Sequence, residues 1–131
     1  MLDEKLLSIN QVTVLPQWTL RQAIEGLARN DVQGISVWRE KLHEFGVAEA
    51  ARLLADNAMS VSGLCFAGMI TSPDSSEAAK AIDDVRRAID EAAAIKARCL
   101  VFVAGGVDPR DKNLEATRAR ALDGVAELIP H

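Results

Sequence analysis

Ser60-Val61-Ser62-Gly63-Leu64-Cys65-Phe66 reads as a strand core, and Cys99-Leu100-Val101-Phe102-Val103 reads as another. Between them Ala78, Ile82, Val85, Ile89 and Ala92 recur at spacings of 4, 3, 4 and 3, the period of one helix face. Asp83, Asp84, Arg86, Arg87, Asp90 and Glu91 fill the other faces of that helix. Strand, helix and strand in this order make a parallel pair joined by a right-handed crossover. The run at 99–103 has no polar alternation, which predicts that both faces of that strand are covered.

The same unit recurs on either side. Strand cores at Leu7–Gln11 and Gly34–Trp38 are each followed by a helical pattern. The first helix opens with a capping box, Thr19-Leu20-Arg21-Gln22, and turns Leu20, Ile24 and Leu27 inward. The second pattern runs from Val47 to Asn57, with Val47, Ala51 and Leu54 on one face. Pro73-Asp74-Ser75-Ser76 starts the third helix. The last helix, Leu114 to Leu128, is expected to turn Leu114, Ala121, Val125 and Leu128 inward. The chain is therefore expected to be α/β, with four consecutive βα units forming half of a (β/α)8 TIM barrel in parallel strand order 1-2-3-4. Residues 1–131 then make a single partial domain. A compact open sheet of flavodoxin-like topology, the alternative, would have order 2-1-3-4.

Composition narrows the partners. With 49% hydrophobic and 26% charged residues, the chain has enough apolar surface for a packed core, which excludes a disordered segment. A net charge of −4 and the lack of any Lys/Arg cluster interleaved with aromatics argue against nucleic acid or an anionic membrane as partner. No apolar run approaches the roughly 20 residues a bilayer span requires. Met1-Leu2-Asp3-Glu4-Lys5 is too acidic for a signal peptide, so a cytoplasmic location is expected. Cys65 and Cys99 sit at opposite ends of neighbouring strands, on the order of 15 Å apart. A disulfide needs Cα atoms within roughly 7 Å, so reduced thiols are expected.

Chemistry in parallel α/β folds gathers at the carboxyl ends of strands. Those ends offer Asn10, Gln11 and Thr13, then Trp38, Arg39, Glu40 and His43, then Cys65, Gly68 and Met69, and last Gly105, Gly106, Asp108, Arg110 and Asp111. Each has a plainer reading. Asn10 and Gln11 either touch a ligand or close the strand ends with hydrogen bonds, and Trp38 either walls a sugar site or packs under its loop. Arg39-Glu40-Lys41 reads as a solvated charge run, and His43 as a lone histidine in a polar loop. Gly105-Gly106 either lets backbone approach a ligand or makes a tight turn. No strand ends in Asp, Glu or His, so neither a divalent-cation site nor a paired-carboxylate acid/base site is expected within this chain. No residue is expected to be catalytic.

Taken in order, several of these segments resemble one family. Ser8-Ile9-Asn10-Gln11, Leu20 to Ala28 and Gly34-Ile35-Ser36-Val37-Trp38-Arg39-Glu40-Lys41 look like the opening of xylose-isomerase-like TIM-barrel proteins, the sugar and sugar-phosphate isomerases and epimerases. Glu49-Ala50-Ala51-Arg52-Leu53-Leu54, Gly63-Leu64-Cys65, Arg87 to Ala93 and Leu100 to Gly106 continue the resemblance in order. It implies a complete barrel of eight units, a divalent metal (Mn, Mg, Co or Zn), and glutamates that move protons next to a carbonyl through an enediolate. In the family those ligands and glutamates come from strands five to eight, and none maps onto a position here. What maps is substrate lining: Asn10, Trp38, Cys65, Gly105 and Gly106. After Cys65, where relatives often carry a basic residue and a second glycine, this chain has Phe66-Ala67-Gly68. Three readings follow: the N-terminal part of a metal-dependent sugar isomerase or epimerase, inactive alone; a half-barrel that dimerises through its exposed strand edges; or a small-molecule-binding α/β module without catalysis.

Overall fold

A computed structural model describes residues 6–131. Four parallel strands form one sheet: β1 (Ser8–Asn10), β2 (Gly34–Trp38), β3 (Ser60–Gly68) and β4 (Leu100–Val103). Their order is β1-β2-β3-β4, the barrel order and not the flavodoxin-like one. Five helices alternate with them: α1 (Leu20–Arg29), α2 (Arg39–Phe45), α3 (Val47–Asp56), α4 (Ser75–Ala94) and α5 (Leu114–Leu128). The chain divides into two compact units. The first is the chain through Phe66 together with Glu91–Val101, and the second is Ala67–Asp90 with Phe102–His131.

In the first unit the expected capping box forms. Thr19 Oγ1 accepts from the Gln22 amide, and Gln22 Oε1 accepts from the Thr19 amide. Below it Leu20, Ala23 and Ile24 of α1 meet Ile35 and Val37 of β2, Leu42, Ala50, Leu54, Val61 and Leu64 in one buried cluster. Val61 and Leu64 lie three apart, which in a regular strand puts them on opposite faces. The register shifts between Ile35 and Ser36, so Ile35 pairs with Val61 and Ser36 with Gly63. Ser62 is the additional residue of this bulge, and it lets Val61 and Leu64 both face the helices. Ser62 Oγ donates to the Ile35 carbonyl at 3.3 Å and shares a 2.7 Å hydrogen bond with Ser8 Oγ.

Two expectations for this unit change. Strand β1 stops at Asn10, because Asn10 Oδ1 accepts from the Val12 amide and caps a 3-10 turn at Gln11–Val14. Arg39-Glu40-Lys41, expected as a solvated charge run, is the first turn of α2, which continues directly from β2, and only Glu40 of the three is exposed. Its Arg39 is buried, 9% exposed, against an ion-pair partner distant in sequence.

The second unit packs Ile70, Ile82, Val85, Ala88 and Leu128. Gly68 has φ +136°, and a Cβ there would run into the Val103 carbonyl, so glycine is what lets these two segments close together. Helix α5 does not bury the face expected. Leu128 is buried, but Leu114 is 50% exposed and Val125 39%, while Thr117 and Gly124 take the inner positions. The reason is Gly124: a Cβ there would stand 2.6 Å from Ile70 Cδ1, so the helix approaches on its side-chain-free side. Nor are both faces of β4 covered: Val101, Phe102 and Val103 are 38–42% exposed. β4 ends the strand order and has no neighbour on its far side among the described residues.

Candidate functional site

The carboxyl ends of β1, β2 and β3 in the first unit carry a connected set of side chains. Gln11 is fully buried, and its Oε1 accepts from the Trp38 amide at 3.0 Å. Its Nε2 is buried with no hydrogen-bond partner among the described residues. Trp38 meets Phe66 edge to face, with ring centroids 6.0 Å apart and planes at 67°. Phe66 is 41% exposed, so the pair presents aromatic surface to solvent.

Beneath this pair lies a charge cluster. Arg39 Nε donates to Glu91 Oε2 at 2.8 Å, and Arg39 Nη1 reaches the Phe66 carbonyl at 3.5 Å. His43 Nε2 lies 2.9 Å from Glu91 Oε1. Burial pushes the Glu91 carboxyl up, but hydrogen bonds and charge from Arg39 and His43 outweigh it, so its pKa falls below the ordinary value. Glu91 is therefore a fixed anion that holds Arg39 under the strand end. His43, a lone loop histidine by sequence, sits on α2 as its second partner.

The other residues singled out in the first unit have structural partners. Asn10 spends its amide oxygen on the 3-10 turn, and its carbonyl accepts from Thr13 Oγ1 at 2.9 Å. Cys65 is a buried free thiol 3.4 Å from Ser36 Oγ, and Cys99 is an exposed free thiol. Replacing Gln11 tests the orphaned amide. Gln11→Met loses the bond to Trp38 but also removes the unpaired donor, so unfolding free energy is expected to change by less than about 1.5 kcal/mol. Gln11→Glu buries an unpaired charge and is expected to cost about 3 kcal/mol. Urea melts of both variants check the order.

In the second unit the carboxyl ends of β3 and β4 are joined by Thr71. It is 5% exposed and donates from Oγ1 to the Gly106 carbonyl at 2.9 Å. Gly105, at φ +121°, stands where a Cβ would strike Thr71 Oγ1, so the expected tight turn is the reason for this glycine. A Cβ on Gly106 would meet nothing within 4 Å. Arg120 of α5 donates to the Thr71 carbonyl at 2.8 Å and to Asp111 at 2.9 Å. Arg110 grips Asp108 at 2.6 Å and reaches Glu77 at 3.1 Å. The hydrogen bonds from Arg110 hold the Asp108 carboxyl down to about 2. A cleft of about 300 Å³ opens here, lined by Met69, Thr71, Ser72, Glu77, Gly106, Val107 and Asp108.

Glu91, Thr71, Glu77 and Arg120 were not legible as site residues, because each lies on or before a helix and reaches a strand end only through the fold. The same geometry tests the metal that the family implies. Among the described residues no three His, Cys, Asp or Glu side chains converge. The one carboxylate–imidazole pair at these strand ends, Glu91 with His43, is already neutralised by Arg39. The residues present do not fit a divalent cation.

Comparisons with known proteins agree with the strand order. The sequence model of the family described as xylose isomerase-like TIM barrel matches residues 22–131. Protein SMc04130 from Sinorhizobium meliloti 1021 superposes with a TM-score of 0.93 at 39% identity, over 98% of this chain and 47% of that one. A xylose isomerase domain containing protein from Salmonella typhimurium LT2 gives 0.74 at 11% identity, over 98% and 46%. D-psicose 3-epimerase, crystallised in the presence of D-fructose, gives 0.71 at 14% identity, over 92% and 46%. The chain thus spans less than half the length of each. No curated protein matches it.

Proposed function

We propose that this chain, which belongs to the xylose isomerase-like TIM-barrel family, lines the substrate side of an isomerase or epimerase acting on a sugar or sugar-phosphate carbonyl. The observation that carries this reading is the Trp38–Phe66 pair at the carboxyl ends of β2 and β3. An exposed aromatic pair suits the C–H face of a sugar ring, and neighbouring polar groups orient its hydroxyls. Gln11 holds the Trp38 backbone and Arg39 holds that of Phe66, so the platform is braced from beneath. Within the same unit Asn10 and Cys65 extend the lining, and in the second unit Gly105 and Gly106 offer backbone to a substrate. The likeness to an epimerase crystallised with D-fructose favours a ketose.

No proton transfer is assigned to these residues. Glu91 and Asp108 are held ionised by arginines, which leaves neither free as a base near neutral pH. Proton transfer next to the carbonyl, and any divalent metal that assists it, belong to groups other than the described residues. The reading is tested on the isolated chain by an epimerase assay with D-fructose, a metal titration and tryptophan fluorescence. Expected are no turnover, no micromolar metal site, and a ketose-dependent change in emission that Trp38→Phe removes. Micromolar metal binding at one defined site, or turnover by this chain alone, would overturn it.

A further inference from the structure

The cleft of about 300 Å³ at the carboxyl ends of β3 and β4 lies wholly within the second unit. Two of its lining residues, Glu77 and Asp108, are carboxylates, and none is a cation. Both are ionised near neutral pH. Bonds from the Arg110 guanidinium and from its backbone amide hold Asp108 down to about 2. Hydrogen bonds from Ser72 and Arg110 hold the Glu77 carboxyl below its ordinary value. Two anions thus share one guanidinium, and the cluster stays net negative.

A phosphate is held by an arginine fork or by the amide end of a helix. Both devices are present in this unit, and both are committed to its own groups. Arg110 gives Nε and Nη2 to Asp108 at 2.9 and 2.6 Å, and Nη2 again to Glu77 at 3.1 Å. Arg120 gives Nε to the Thr71 carbonyl and Nη2 to Asp111. At the amide end of α4, Asp74 Oδ1 accepts from the Glu77 amide at 2.9 Å, and Glu77 adds its charge to the first turn. A phosphate in the cleft would have to displace these carboxylates and then sit beside them, a juxtaposition of like charges that suppresses binding. Hydroxyl groups meet no such opposition. An ionised carboxylate accepts at about four lone-pair sites, and the bonds to Glu77 from Ser72 and Arg110 both fall on Oε2, which leaves Oε1 to accept. Gly106, where a Cβ would meet nothing within 4 Å, leaves room beside it.

Resting on the isomerase or epimerase reading, we infer that this cleft binds the hydroxyl groups of an unphosphorylated sugar through Glu77 and Asp108 and turns away a sugar phosphate. Arg110 is then the strut that fixes the two carboxylates, not a phosphate clamp. Amide resonances of the unmodified chain, titrated with D-fructose and with D-fructose 6-phosphate, test it. D-fructose is expected to shift the Gly106, Val107 and Asp108 amides, and the phosphate ester to bind about tenfold or more weakly there. Glu77→Gln is expected to narrow that ratio with unchanged circular dichroism. Salt supplies a second readout without any substitution. Raising it from about 0.01 M to about 1 M shortens the screening length from about 30 Å to about 3 Å, so the ratio should narrow again. Equal or tighter binding of the phosphate ester at these amides overturns the inference, as does a ratio that neither salt nor Glu77→Gln moves. A D-fructose response at Trp38 with none at Gly106 also overturns it, and leaves the sugar reading standing. No response to either sugar at Trp38 or Gly106 overturns both.

Discussion

Replacing Glu91 with glutamine is expected to cost about 3 kcal/mol of unfolding free energy, toward the low end of what breaking a buried ion pair costs. The Glu91 and Arg39 side chains are only 17% and 11% exposed, so the guanidinium left behind stays largely out of water without a counter-charge. In a domain of this length that is a fall in midpoint of about 10 °C, read by calorimetry. The loss also reaches the strand end, because Arg39 holds the Phe66 carbonyl. The exposed Arg21–Glu25 pair on α1 is the contrast. Its side chains are 51% and 39% exposed, and Glu25→Gln is expected to change stability by less than about 0.5 kcal/mol.

The Glu91 effect has a pH signature. Its carboxyl titrates lower in the folded chain than in the unfolded one, where the ordinary value is about 4.3. A depressed folded pKa contributes stability that is fully present above the unfolded pKa and is lost as pH falls through the folded one. The gap between the parent chain and Glu91→Gln is therefore expected to hold from neutral pH to about 5 and to narrow below about 4. Urea melts across this range check it. A gap that widens in acid would mean that Glu91 is not the anion of the cluster.

Gly68→Ala is expected to be the most damaging single-methyl addition at the end of β3, costing about 3 kcal/mol or more. Two penalties combine. The backbone there has φ +136°, which residues with a Cβ rarely adopt, and the added methyl would occupy the space of the Val103 carbonyl. Backbone cannot yield as a side-chain tip can, so the end of β3 and Val103 must separate. Loss of the Met69 amide to Val103 carbonyl hydrogen bond, 2.7 Å in the parent, is the local sign to follow by amide exchange. Gly106→Ala is the control. A Cβ there meets nothing within 4 Å, and the variant is expected to fold normally.

How much was legible in the sequence follows from which forces act locally. The capping box at Thr19 and Gln22, the spacing of Ile82, Val85 and Ala92, and the apolar strands were readable because they depend on neighbours within a few residues. Four alternating strands and helices then left few topologies, and the order β1-β2-β3-β4 is the expected one. The inner face of α5 was misread for a reason of the same kind. Counting apolar residues favours Leu114 and Val125, whereas contact distance favours the side on which Gly124 lets Ile70 and Ile82 come close. The charge run at Arg39 misled similarly, since its partner Glu91 lies 52 residues away.

The sequence by itself determined the class of fold, the strand order and the family, because periodicity, caps and turn residues act over short stretches and leave their record in the order of residues. Only the tertiary structure decided which side chains meet. It placed Gln11 under the Trp38 amide, Arg39 between Glu91 and Phe66, and Thr71 against Gly106. Those pairings depend on where separate elements converge, and on the bulge at Ser62 that resets which residues face inward. Contacts across such separations have no local signature, so the braced aromatic platform became visible only once the chain was folded.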